Sequence, residues 1–145
     1  MAGYSGTPLP KKLGIKEGSR VVLIDAPDHF EAALDPLPGG ATIDRLAGQA
    51  GQTGPPADVI VFFTDRVSRL EEKLADLAGS LASNGGLWIA WPKKASGVPT
   101  DVTFEAVQKA GLAIGLVDNK VCAVDDVWSG LRFVYRLKDR SRANR

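Results

Sequence analysis

Apolar positions along the chain change period several times, and each change marks an element. Arg20–Asp25 reads RVVLID, a β-branched apolar run that predicts a buried strand. Ala57–Phe63 (ADVIVFF) is almost continuously apolar, as expected of a parallel strand covered on both faces. Ala41–Leu46 predicts a weaker strand between them. Val67, Leu70, Leu74, Leu77 and Leu81 then recur at spacings of three and four, which sets them on one face of a helix. Thr64 or Asp65 is expected to cap its start, and Asn84-Gly85-Gly86 to stop it. Leu87–Trp91 is the next buried strand, ended by Pro92.

Shorter signals fill the remainder. Thr7-Pro8 reads as an N-cap with proline at the first helical position, and Gly14 closes that short helix. Asp28-x-x-Glu31 has capping-box spacing and predicts a short helix through Leu34. Thr103–Ala110 predicts a helix with Phe104 and Val107 inward and Gly111 as its stop. Leu112–Val124 is extended with a polar break at Asp118-Asn119-Lys120, which reads as a turn or an edge bulge. After a turn at Asp125–Gly130, with Gly130 supplying unusual dihedrals, Leu131–Leu137 alternates as a returning strand not expected to be buried on both sides. β-α-β units followed by an antiparallel hairpin imply a three-layer α/β sandwich, mostly parallel with one mixed edge.

Composition narrows this picture. A chain of 145 residues, 44% hydrophobic and 24% charged, is the size of one ordinary globular domain. Residues 1–137 are read as that single α/β domain, and 138–145 as a disordered basic tail. The stretch 47–56, rich in glycine and proline, reads as a mobile surface loop between strands of one sheet. Cys122 is the single cysteine, which excludes a disulfide scaffold. No run is long and apolar enough to span a bilayer, and the first residues lack the pattern of a secretory signal. A cytoplasmic location is expected.

The net charge of +1 is unevenly placed: residues 1–20 carry +3, 132–145 carry +5, and the body between them carries −7. No aromatic residue interrupts Lys138–Arg145, so the tail is read as solvated rather than as a nucleic-acid contact.

The order of elements, with ADVIVFF, the leucine helix, the Asn84–Ile89 entry and the terminal hairpin, resembles a shortened Rossmann-like methyltransferase scaffold over residues 15–137. The phrases GYSGTPLPKKLGIKEGSRV (3–21), WPKKASGVPTD (91–101) and GLVDNKVCAVDDVWSGLRFV (115–134) are similar to a bacterial family filed as domain of unknown function 3052. The methyltransferase resemblance implies a glycine-rich turn after the first strand that admits S-adenosylmethionine. This chain departs from it with Asp25-Ala26-Pro27-Asp28-His29-Phe30. Pro27 lacks a backbone donor where donors are needed, and the missing glycines also exclude the dinucleotide and P-loop patterns.

Open α/β sheets bind ligands beyond the carboxyl ends of their strands. Asp25–His29, Thr64–Arg66, Trp91–Ser96 and Asp118–Lys120 are expected to meet there. The candidate ligand-binding residues are Asp25, Asp28, His29, Thr64, Trp91, Lys93, Lys94, Ser96, Asn119, Lys120 and Trp128. No catalytic set is identified. His29 is the only histidine, so no multi-histidine metal site exists, and it reads first as a structural or surface residue. Cys122 reads as a small buried hydrophobe, and Ser96 lacks the G-x-S-x-G context. Asn119-Lys120 has Cys122 where a guanine reader needs aspartate. Trp88 and Trp91 read as core, whereas Trp128 either covers the core or walls a pocket. Lys93 and Lys94 emerge after Pro92, with Ser96 and Gly97 offering a hydroxyl and backbone N–H groups to an anion.

These residues point to a non-catalytic binding or regulatory module for an anionic small molecule or a protein partner, with no cofactor identified. The alternative is a divergent S-adenosylmethionine-dependent methyltransferase-like enzyme or another small transferase. A homodimer through the terminal hairpin is a further candidate; a membrane partner is not expected.

Overall fold

The computed structural model describes residues 8–28, 30–46, 56–137 and 139. The Thr7 cap, His29, the 47–56 loop apart from Pro56 and the 138–145 tail apart from Asp139 fall outside them. The elements are α1 (Leu9–Leu13), β1 (Arg20–Ile24), a 3-10 turn (Phe30–Leu34), β2 (Thr42–Leu46), β3 (Ala57–Phe63) and α2 (Val67–Gly79). They continue with β4 (Leu81–Pro92), a 3-10 turn (Lys94–Ser96), α3 (Phe104–Ala113), β5 (Leu116–Ala123) and β6 (Trp128–Tyr135). The six strands form one sheet in the order β2-β1-β3-β4-β6-β5. The first four are mutually parallel, and β6 runs antiparallel to both β4 and β5.

The apolar run of β3 has its cause in two-sided burial. Ile60 and Phe62 join the core beneath α2 and α3, while Val59, Val61 and Phe63 join the core under α1 and the Phe30–Leu34 turn. Each such fully buried large side chain contributes roughly 1.5–3 kcal/mol. Trp88 is fully buried and donates Nε1–H to the Leu13 carbonyl at 3.0 Å, which fixes α1 on its face of the sheet. The Tyr135 hydroxyl donates to the Ala78 carbonyl and joins β6 to α2.

Several local expectations are corrected. Pro8 is the N-cap of α1 rather than its first residue, while Gly14 does close it, at φ 82°. The periodic helix stops before Leu81, which opens β4 but stays in the same core. Asn84-Gly85-Gly86 therefore lies inside a strand, where pairing with β3 shifts from Ala57↔Leu81 to Val59↔Gly86. The glycines serve close approach: a Cβ on Gly85 would lie 2.7 Å from the Asp58 carbonyl, and one on Gly86 2.3 Å from Arg132 Nε.

Gly111 is likewise no stop. It is buried inside α3, where a Cβ would lie 2.1 Å from the Phe133 ring, so glycine is what lets α3 meet β6. Gly130 does not have positive φ; it sits in β6 because a Cβ would press at 3.1 Å on Trp88. Pro92 does not end pairing, since it faces Trp128 and the Lys93 amide still donates to the Val127 carbonyl at 2.7 Å. Phe104 is 37% exposed rather than inward. Leu131, Phe133 and Val134 are all buried, so β6 carries buried side chains on both faces. The polar break in β5 is a register shift between Asp118 and Lys120.

Candidate functional site

β1, β3 and β4 end side by side, and their loops form the carboxyl edge of the sheet. The chain leaves β1 through Asp25, whose φ of 56° is unusual for a residue with a Cβ. Its carboxylate accepts from Arg69 of α2, from Nε at 3.0 Å and from Nη2 at 2.6 Å. Ala26 behind it is buried, and Pro27 follows.

Arg45, near the end of β2, reaches into the space beside this loop. Nη1 donates to the Ala26 carbonyl and Nη2 to the Pro27 carbonyl, each at 2.6 Å. Nε and Nη2 donate to the Glu31 carboxylate at 2.8 and 2.6 Å. The guanidinium beside Glu31 holds that carboxyl down at about 2, and the Glu31 carboxylate pushes Arg45 up. Glu31 is therefore an ion-pair partner and not the second half of a capping box. Asp28 is exposed beside it, and the Phe30 amide bonds the Pro27 carbonyl instead.

This arrangement does not fit an adenosine-type cofactor. Such sites need close backbone approach at the first turn and a carboxylate about 20 residues on to hold the ribose hydroxyls. Here the turn carries Pro27, Arg45 near the end of β2 lies against the loop carbonyls, and the neighbouring carboxylate, Asp44, is paired with Arg20.

The β3–α2 and β4–α3 loops are bound to each other. The first amide of α2, Val67, donates to Asp101 at 2.8 Å, and Thr100 Oγ1 donates to the Asp65 carbonyl at 2.7 Å. The cap of α2 thus comes from 34 residues downstream and not from Thr64 or Asp65. Thr64 is buried and exchanges hydrogen bonds with the Arg66 backbone. Between the two loops lies a hollow of about 430 Å³ lined by Asp65, Arg66 and residues 98–101.

Of the remaining expected residues, Trp91 is buried at 7% exposure and packs edge-on to Phe104. Lys93 is half-buried and Lys94 exposed. Ser96 Oγ donates to the Lys93 carbonyl at 2.6 Å and accepts the Val98 amide, and the Ser96 and Gly97 amides bond the Lys93 and Lys94 carbonyls. The hydroxyl and N–H groups expected to receive an anion are thus engaged in the turn itself. Trp128 packs edge-on to Phe63 with centroids 5.1 Å apart, so it covers the core.

Asn119 and Lys120 are not at this edge. β5 ends at Ala123, and Lys120 pairs with Arg132 in mid-strand, where its ammonium donates to the Lys12 carbonyl and Asn119 accepts from Arg132. Burial pushes the Cys122 thiol up, and it packs against the α1-side core. Among the described residues no three metal-ligating side chains converge, and no helix is long and apolar enough to cross a membrane. Sequence reasoning missed Arg45, Arg69 and Asp101. Arg45 alone left a signal, a cation inside a predicted strand.

A family model described as protein of unknown function (DUF3052) matches residues 12–137. No curated protein matches the chain. Among solved structures, a precorrin-6y C5,15-methyltransferase from Geobacter metallireducens is similar at TM-score 0.63 and 11% identity, covering 88% of this chain and 86% of that one. A SAM-dependent methyltransferase from Aquifex aeolicus gives TM-score 0.58 at 13% identity, with 85% of both chains covered. LepI in complex with SAH and a substrate analogue gives TM-score 0.55 at 14% identity over 90% of this chain. This chain spans about half of LepI, 47% of its length. At these identities the likeness is one of fold: a Rossmann-like, methyltransferase-type sheet.

Proposed function

The chain belongs to the family described as protein of unknown function DUF3052, and from that premise we propose that it is a non-catalytic binding module on a methyltransferase-like fold. Its ligand is an anionic small molecule or the acidic surface of a protein partner, held at the carboxyl edge by Lys93, Lys94 and Arg66. The observation that carries this reading is Arg45, whose guanidinium lies against the Ala26 and Pro27 carbonyls where the fold otherwise admits an adenosine cofactor. Arg66 is exposed on the hollow and its side chain makes no hydrogen bond or ion pair among the described residues, which leaves a cation for that ligand. A second copy pairing along β5, the exposed hairpin edge that carries Val121, is the homodimer compatible with this fold.

The second reading, a divergent S-adenosylmethionine-dependent enzyme, is favoured by neighbours such as LepI in complex with SAH. Thermal-shift and calorimetric titration with S-adenosylmethionine, S-adenosylhomocysteine, nucleotides and phosphorylated metabolites separates the two. The binding-module reading expects stabilisation by an anion without the methionine cofactor. Saturable S-adenosylmethionine binding to the wild-type chain would reverse the order.

A further inference from the structure

The helices α2 and α3 lie side by side on one face of the sheet. Both return from the carboxyl edge, so they run in the same direction. Their facing flanks repeat at one spacing. Val67, Glu71 and Leu74 of α2 are separated by four and three residues, and so are Ala106, Ala110 and Ala113 of α3. Each set therefore lies along one side of its helix. Alanine is too small to fill the space above the line where the helices meet. What remains is an apolar groove of about 410 Å³, with buried Leu74 on its α2 wall. Ile114, which is 39% exposed, lines it just beyond the end of α3.

The groove carries two charges, one on each wall. Glu71 of α2 and Lys109 of α3 are both exposed, and neither makes a hydrogen bond or ion pair among the described residues. Both lie in the second turn of their helices. An anion and a cation on opposite walls of one groove form a self-complementary pattern. A two-fold axis along the groove lays α2 of one copy on α3 of the other, and sets Glu71 against Lys109 twice. A two-fold axis across the groove would instead set Glu71 against Glu71. Charge therefore selects the first arrangement. The apolar flanks supply the attraction, while exposed ion pairs add little energy and fix the register. A helix of unrelated sequence would have to bring both signs at matching positions; a second copy already carries them.

We propose that the α2–α3 face is a self-association surface, on which a second copy of the chain docks as a symmetric dimer with Glu71 of each copy against Lys109 of the other. This face does not include β5, so the dimer is distinct from pairing along the hairpin edge. It is also independent of the anion site at the carboxyl edge.

Sedimentation velocity of the full chain, from micromolar to millimolar concentration, is expected to show a reversible monomer–dimer equilibrium. Glu71→Lys and Lys109→Glu, each alone, bring like charges together twice and should weaken the dimer at least about tenfold. Mixed in equal amounts, the two variants should form a heterodimer, because their reversed charges complement one another. Val121→Lys, on the β5 edge, should leave the equilibrium unchanged. Thermal unfolding shows whether each variant is folded. Should a reversal not fold, Ala113→Arg fills the groove from an exposed position and should also give monomer.

A chain that is monomeric at every concentration would overturn the proposal and leave the groove to a different partner. Dimerisation that survives both reversals, or a mixture that fails to pair, would also overturn it. Loss of the dimer in Val121→Lys would assign the interface to the hairpin edge instead.

Discussion

The two ends of the sheet use their polar groups in opposite ways. At the carboxyl end, where open α/β sheets hold ligands, Arg45 and Arg69 clasp the β1 loop, and Asp101 and Thr100 join the β4–α3 loop to the start of α2. These donors and acceptors satisfy one another. At the amino end, Arg132 is seated on glycine backbone beside Lys16, Asn84 and Asp58, around open space. A shared fold therefore does not carry a shared site, because the side chains on its loops decide which polar groups are already engaged.

The largest effect is expected at the amino end. Gly86→Ala places a Cβ 2.3 Å from Arg132 Nε, where the side chain is held along its length. A loss of about 1–3 kcal/mol in urea unfolding is expected, as for an overpacked interior. A neutral result would mean that Arg132 is not seated as described.

Next is the carboxyl end. Asp101→Ala removes the acceptor of the first α2 amide and should cost about 1 kcal/mol, as for a lost N-cap. Asp101→Asn should recover most of it. Equal losses in both variants would show that the carboxylate charge, and not the cap bond, does the work.

Arg45→Ala should cost less, under about 1 kcal/mol, because both members of the Arg45–Glu31 pair are a third or more exposed and screened by solvent. Its signature is in pH. Glu31 is held at about 2 against an ordinary value of 4.5, so its pairing stabilises the fold above that ordinary value. The stability gap between wild type and Arg45→Ala should be constant at neutral pH and close as pH falls from 4.5 toward 2. A gap independent of pH would assign the contribution to the carbonyl contacts alone.

Smallest of all in stability, Lys93→Ala with Lys94→Ala should leave the unfolding midpoint unchanged, since neither side chain is bonded in the turn. The double variant should nevertheless abolish the thermal shift produced by the anion that the titration panel identifies. A full shift retained would move the anion away from this edge.

Much of this architecture was legible because period and burial are local properties. β3 is read to its residue limits from ADVIVFF, and the leucine spacing finds α2, because an element covered on one or two faces must repeat its apolar residues accordingly. The absence of glycine after β1 already argued against an adenosine cradle. Glycine was the main source of error: Gly85, Gly86, Gly111 and Gly130 look like punctuation in one dimension. They are places where another element comes too close for a Cβ. The neighbours that require Gly85, Gly86 and Gly111, namely Asp58, Arg132 and Phe133, are 22 or more residues away, and nothing local encodes them.

The sequence by itself determined the alternation of strands and helices, the antiparallel return at the end and the departure from a cofactor-binding turn. All three follow from backbone preference and hydrophobic period. The tertiary structure alone decided which charges meet. Arg45 reaches the Ala26 carbonyl across 19 positions, Asp101 caps a helix 34 positions earlier, and Arg132 lies over Gly86. Polar pairs have no period to reveal them, because hydrogen bonds and charges act over a few ångströms of space. Parallel crossovers bring together residues that the chain keeps far apart.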